Sequence, residues 1–253
     1  MKKSIKFLFL VIGIAVSSCK EDSPVVIPEP GEDPIMLEAV VEPYYGGEPL
    51  ALDQVVETVQ GYPIKIRELK FVVTRLMNGE KRLVNSAKMD WASEGLTLFK
   101  APGDPGNFEN IQGNLGVIQE WNHLDPVSFE ETDPLYLTNI NDMHWSWNPG
   151  YIFVKVEGSH DTIPGSANFP FNYSFHLGMD AHLKQFEWNN IQWEKINEKL
   201  YRMKIKVHVD QFFTGPGGTI DLKTEFVTHS MPETEELTNK AMINFSNAIQ
   251  VGE

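Results

Sequence analysis

The sequence predicts an all-β fold: a single β-sandwich or barrel-like domain over residues 35–253, with one short C-terminal helix. Three observations carry this reading. From Ile35 onward the apolar residues recur in short runs of period two. Gly, Pro, Asn and Asp separate those runs, and these residues turn a chain rather than extend it. One segment breaks the alternation. From Glu233 to Ala248, Leu237, Ala241, Phe245 and Ala248 fall at helical spacing behind Pro232 and acidic residues that suit a helix start.

Each element follows from its pattern. Between Pro63 and Met77, Ile64 and Ile66 lie in one phase and Leu69, Phe71 and Val73 in the other, which predicts a strand with a bulge near Arg67-Glu68. Tyr151 to Glu157 is a second strand. In Phe169 to Leu177, Phe171, Tyr173 and Phe175 share one face, leaving Asn172, Ser174 and His176 on the other. Ile205, Val207 and Val209 mark a half-buried strand from Lys204 to Val209. No repeat of fixed period and no internal linker divides the domain.

Residues 1–18 read as an export signal. Lys2, Lys3 and Lys6 precede the apolar run Phe7 to Val16, which is shorter than the about 20 residues a membrane helix needs. Val16-Ser17-Ser18-Cys19 resembles a lipobox, so Cys19 is expected to carry the lipid. Residues 19–34 are rich in Pro and acid and form an extended tether. Its Glu21-Asp22 pair resembles a surface-export signal. These features predict an outer-membrane lipoprotein facing the periplasm or the cell surface, with the lipid anchor as its membrane link.

Cys19 is the only cysteine, so the domain has no internal disulfide and no thiolate for a structural zinc site. The chain carries 35 acidic against 21 basic side chains, three of which leave with the signal. A surface this negative repels phosphate backbones, which disfavours nucleic acid as a partner. The sequence contains no GxSxG, HExxH, P-loop or GxGxxG after a strand. It reads as a non-catalytic protein.

The segment richest in chemistry is Asn141 to Tyr151, NDMHWSWNPGY. If it is extended, Trp145 and Trp147 share one side, with His144 and Ser146 on the other. An aromatic core plug with a satisfied histidine accounts for the same residues. His176 ends a strand and His229 precedes the late helix; taken singly, each reads as structural. Met143, Met179 and Met231 lie within three residues of His144, His176 and His229, however, and imidazole with thioether suits Cu(I).

Met143 to Gly158 (MHWSWNPGYIFVKVEG), followed by Phe175 to Gly178 (FHLG), resembles the MbnP-like copper-binding family. Supporting stretches are Gly47 to Leu50 (GEPL), Ile66 to Arg75 (IRELKFVVTR), Gly116 to Pro126 (GVIQEWNHLDP), Lys206 to Phe213 (KVHVDQFF) and Met242 to Ala248 (MINFSNA). The resemblance implies an extracytoplasmic all-β domain that binds copper. In some members a dihaem peroxidase-like partner enzyme oxidises a tryptophan to kynurenine. By motif position, the candidate metal ligands are His176, His229 and His144, and the candidate modified residues are Trp145 and Trp147. The sequence departs from the pattern at Glu42-Pro43-Tyr44, where many members carry a histidine. The expected function is therefore a lipid-anchored, extracytoplasmic copper-binding or copper-handling protein. The alternative is a metal-free surface glycan-binding or assembly lipoprotein. That reading requires solvent-facing, coplanar Trp121, Trp188 or Trp193.

Overall fold

The computed structural model describes residues 33–145 and 150–251. Cys19, the signal, most of the tether and Trp147 lie outside the described residues. In chain order the main strands are β1 (Met36–Tyr45), β2 (Pro63–Asn78), β3 (Lys81–Asp90), β4 (Thr97–Pro102), β5 (Ile111–Leu115), β6 (His144–Trp145), β7 (Gly150–His160), β8 (Phe171–Gly178), β9 (Lys184–Trp188), β10 (Leu200–His208), β11 (Val227–Thr228) and β12 (Ile249–Val251). Two four-residue helical turns, at Gln119–Asn122 and Leu137–Ile140, lie in the connections, and the longer helices are α1 (Val209–Phe213) and α2 (Glu235–Ala248).

The strands form two curled sheets that share one hydrophobic core. In the smaller sheet β1 runs parallel to β10 and antiparallel to β4, and β12 pairs with β10. The parallel register sets Ala39 beside Met203 and Val41 beside Ile205, so the buried residues of both strands share a face. The larger sheet runs β9-β5-β2-β7-β8-β11, with β3 on the other edge of β2. Among the described residues both sheets keep open edges. The sandwich-or-barrel alternative thus resolves to two sheets rather than a closed barrel.

The expected bulge lies at Arg67: β2 pairs Ile66 with Gly158 and then Glu68 with Glu157, leaving Arg67 as the extra residue. Beyond it Leu69, Phe71 and Val73 point into the core, while Glu68 and Lys70 turn to the opposite face. Phe171 departs from expectation. It begins β8 exposed, and Tyr173 and Phe175 alone of that trio enter the core. The predicted helix starts two residues late, because Pro232–Thr234 forms a single 3₁₀ turn ahead of α2. Leu237, Ala241, Phe245 and Ala248 are all buried, and the Phe245 ring meets Phe71 and Phe212 edge-on at 5.7 and 6.2 Å.

The opposite face of the large sheet is polar and largely covered, with Lys70, Lys88, Asp90 and Lys155 buried and Glu68, Glu157, Ser174 and His176 half-buried. Glu68 and Lys70 of β2, Lys88 and Asp90 of β3, Lys155 and Glu157 of β7, and Ser174 and His176 of β8 make up this layer. Much of it lies beneath the chain between Asp133 and Trp145: Ser86 donates to Asp133 at 2.6 Å, Tyr151 to the Leu135 carbonyl at 2.9 Å, and Lys88 to the Asn139 carbonyl. A second bulge, at Phe153 of β7, changes the phase of the strand where β8 ends. Ile152 can therefore join Lys155 on the polar face.

Gly158 permits the closest approach in this sheet. A Cβ there would lie 1.9 Å from the Lys65 carbonyl oxygen and 2.3 Å from the Tyr173 hydroxyl, and that hydroxyl donates to Lys65 across the glycine at 2.9 Å. Gly158→Ala is expected to destabilise the fold by about 3 kcal/mol, at the upper end of overpacking costs. Reversible denaturant unfolding would measure it.

Candidate metal centre

The ends of β6, β7 and β8 and the turn after β11 enclose a cleft of about 550 Å³. His144, Trp145, His176 and His229 all line it. Asp142, Ile152, Lys155 and Met231 complete the wall. The three candidate histidines and one of the two candidate tryptophans, separated by up to 85 residues in the chain, thus meet in one place.

His176 and His229 are in direct contact. Their Nδ1 atoms lie 3.0 Å apart, with ring centroids 4.6 Å apart and rings inclined at 72°. On its other side the His176 ring meets a carboxylate: Nε2 lies 2.6 Å from Glu157 Oε1, which also accepts from Ser174 at 3.0 Å. A carboxylate only accepts, so the Nε2 proton belongs to His176 in this pair. In the neutral ring Nδ1 then carries a bare lone pair directed at His229. The hydrogen bond from His176, followed by Lys155 and Ser174, holds Glu157 at about pKa 2 despite its burial. Burial and the neighbouring His176 ring push the His229 pKa down.

Beside this pair lies a knot of charge. Lys70 and Lys155, with side chains 6 and 7 % exposed, reach the two oxygens of Asp142. Lys70 also approaches Asp90 at 3.3 Å, and Lys155 approaches Glu68 at 2.8 Å. Burial alone would raise the Asp142 pKa, but hydrogen bonds from Lys155 and Lys70 outweigh it and hold the group at about 2. Buried lysines are costly unless paired and hydrogen-bonded, and each of these has more than one carboxylate partner.

Trp145 is 5 % exposed and lies against Gly178, where a Cβ would be 2.7 Å from its ring. Asn122 secures the far side of the hairpin: its side-chain oxygen accepts from Tyr151 N–H at 2.8 Å and its amide donates to Asp180 at 2.7 Å. His144 lines the cleft edge-on to Tyr151 at 5.0 Å, and burial lowers its pKa. Three of the non-glycine residues with positive φ flank this cleft, namely Asn141 (53°), Met179 (72°) and Ser230 (54°). Such backbone costs free energy and collects at functional sites.

Among the described residues no group of three or more His, Cys, Asp or Glu side chains is arranged to hold a metal ion. The nitrogen pair itself is His176 and His229, with His144 further along the wall. The departure at Glu42 to Tyr44 lies elsewhere. Glu42 pairs with Lys204 at 3.2 Å and Tyr44 stacks near His208, and neither lines the cleft. Glu157 and Lys155 escaped the sequence reading. The usable signal was their shared phase in VKVEG, the same as that of Ser174 and His176 in the partner strand.

Fold and cleft define a single all-β domain with paired imidazoles at the end of its larger sheet. A search of curated proteins finds no match. The MbnP family model matches residues 36–233. The chain belongs to the MbnP family, which is associated with copper-related periplasmic function. Among solved structures, MbnP from Methylosinus trichosporium is similar over 87 % of this chain and 98 % of its own, at 13 % identity and a TM-score of 0.50. That likeness concerns the fold.

Asp142 and Glu157 have folded pKa values near 2, below their ordinary 3.8 and 4.5. Their contribution is present above about pH 4.5 and is lost as pH falls toward 2. Melting temperature is expected to drop across that window. Asp142→Ala is expected to cost about 2 kcal/mol at neutral pH, less than a fully buried pair because Asp142 is half-exposed and other carboxylates remain on both lysines. Denaturant unfolding of both proteins at pH 7 and pH 3 checks the pair of expectations.

Proposed function

We propose that this protein binds and handles copper outside the cytoplasm without turning over a substrate. The observation that carries the reading is the facing pair of Nδ1 atoms of His176 and His229, 3.0 Å apart. Two bonds near 2 Å from nitrogens at that separation meet at roughly a right angle. Glu157 behind His176 is the partner that metal-bound histidines typically have, fixing the tautomer and raising ligand basicity. The donor set fits a copper ion, which imidazole suits. His144 is a further candidate at the rim.

Bound copper would supply a redox-active Lewis acid. The chain's own residues hold the imidazoles and orient them, and Trp145 lines the same cleft. In the same reading Trp145 and Trp147 are the candidates for oxidation to kynurenine by a dihaem peroxidase-like partner. Cys19 carries a lipid that anchors the domain to the outer membrane through the acidic tether, facing the periplasm or the cell surface. Among the described residues no helix is long and apolar enough to cross a membrane.

The tryptophans named for glycan binding form no open platform. Trp188 is 6 % exposed and stacks on Phe186 at 4.3 Å, while Trp121 and Trp193 are partly buried against the core.

Competition titration with Cu(I) and Cu(II) tests the proposal. The purified chain should bind copper, and the double variant His176→Ala, His229→Ala should not. Binding that survives the double substitution would exclude this site. Glu157→Gln keeps the shape and is expected to weaken binding by roughly ten- to a hundredfold. Peptide mass analysis of native protein with both Trp145 and Trp147 unmodified would remove the kynurenine element alone.

A further inference from the structure

His176 and His229 are the paired imidazoles of the cleft, with His144 edge-on to Tyr151 elsewhere in the wall, and a right-angled nitrogen pair leaves further coordination positions of a copper ion open. Oxygen ligands are present but engaged. Both oxygens of Asp142 are taken by Lys70 and Lys155, and Oε1 of Glu157 is committed to His176, Ser174 and Lys155. A hard cation that prefers carboxylate would have to break these buried pairs, at the cost of leaving ammonium groups without partners. Besides His144, the wall offers one soft donor, the thioether of Met231, two residues from His229.

Met231 is the most exposed of the described methionines, with Met36, Met77 and Met179 partly buried. Met89, Met143, Met203 and Met242 are buried in the core, whereas Met231 is 40 % exposed. Its backbone is nonetheless fixed on both sides. The preceding Ser230 has φ of 54°, donates through its hydroxyl to the His176 carbonyl, and accepts from Gly178 N–H through the same oxygen, each at 3.0 Å. On the following side the Met231 carbonyl accepts from Thr234 N–H at 2.9 Å. The turn that carries His229 and Met231 is therefore bolted to the strand end that carries His176. The thioether is left as the mobile part, on a side chain with three rotatable bonds.

We infer that Met231 is the third copper ligand, and that His176, His229 and Met231 make a site selective for Cu(I) over Cu(II). The inference rests on the copper reading above and extends it to the oxidation state. Thioether is a soft donor that favours Cu(I), and the engaged carboxylates deny Cu(II) the hard oxygen donors that would favour it. The wall thus discriminates by what it offers and by what it has already tied up.

Met231→Leu removes the sulfur and keeps the bulk and apolar character of the side chain. In anaerobic titration of the full chain against a chromophoric Cu(I) chelator, the variant is expected to lose Cu(I) affinity by roughly tenfold or more, the scale seen even when a supporting contact to a metal ligand is removed. Cu(II) affinity should stay within about threefold of the parent, a span of less than 1 kcal/mol. X-ray absorption at the copper edge of the Cu(I)-loaded parent should show a sulfur scatterer that the variant lacks. Equal Cu(I) affinity in parent and variant, or a parent spectrum with light atoms only, overturns the role of Met231 while leaving the histidine pair intact. A parent chain that binds copper in neither state overturns both readings. A variant that loses Cu(I) and Cu(II) equally overturns the selectivity.

Discussion

The cleft depends on one interaction above the rest: Asp142 bridging the two buried lysines Lys70 and Lys155. Those lysines occupy adjacent strands, directly opposite each other in the register of β2 and β7. Like charges at that spacing repel, and neither could remain charged at this depth alone. Glu68 and Asp90 offset part of the charge from within the sheet. Asp142 reaches them from above, and so ties the chain that leads into β6 onto the polar face. His144 and Trp145 follow within three residues. The position of the aromatic wall is therefore set by electrostatics, while the core beneath is set by apolar packing on the opposite face of the same strands.

The same logic extends outward from Lys155. Glu157, one pleat further along β7, hydrogen-bonds the His176 imidazole, and that ring faces His229. A carboxylate held well below its ordinary pKa stays ionised near neutral pH and so remains an acceptor for the His176 ring. Ser230 then locks the second histidine to the first through the backbone of β8. The cleft is built from four chain segments, and hydrogen bonds and ion pairs within the protein hold them together. That is the arrangement expected of a preformed site.

Much of this was legible in the sequence. Period-two runs gave the strands, the phase change around Arg67 gave the bulge, and Leu237, Ala241, Phe245 and Ala248 gave the late helix, because each rests on side-chain periodicity that a chain cannot disguise. Phe171 keeps its ladder partner His160 but stays half-exposed, because it lies at the first position of β8, at the margin of the core. His176 and His229 could be named from motif position, but their convergence depends on the parallel pairing of β8 with β11, a long-range register that no local pattern encodes. Glu68, Lys70, Lys155 and Glu157 looked like the solvated face of two strands. Lys70 and Lys155 are buried, and Glu68 and Glu157 half-covered, because Asp133 to Trp145 folds over this face, and only the tertiary structure reveals that cover. The glycines of the motif acquire reasons in the same way: Gly158 admits the Tyr173 hydroxyl and Gly178 the Trp145 ring.

In the proposed site, copper binds to the Nδ1 atoms of both His176 and His229. Anomalous diffraction at the copper absorption edge, on crystals of the chain grown with Cu(I) under reducing conditions, tests it most directly. The account predicts a single strong peak about 2 Å from both Nδ1 atoms. A peak on the Nε2 side of either ring, or copper only at surface carboxylates with this cleft empty, would contradict it.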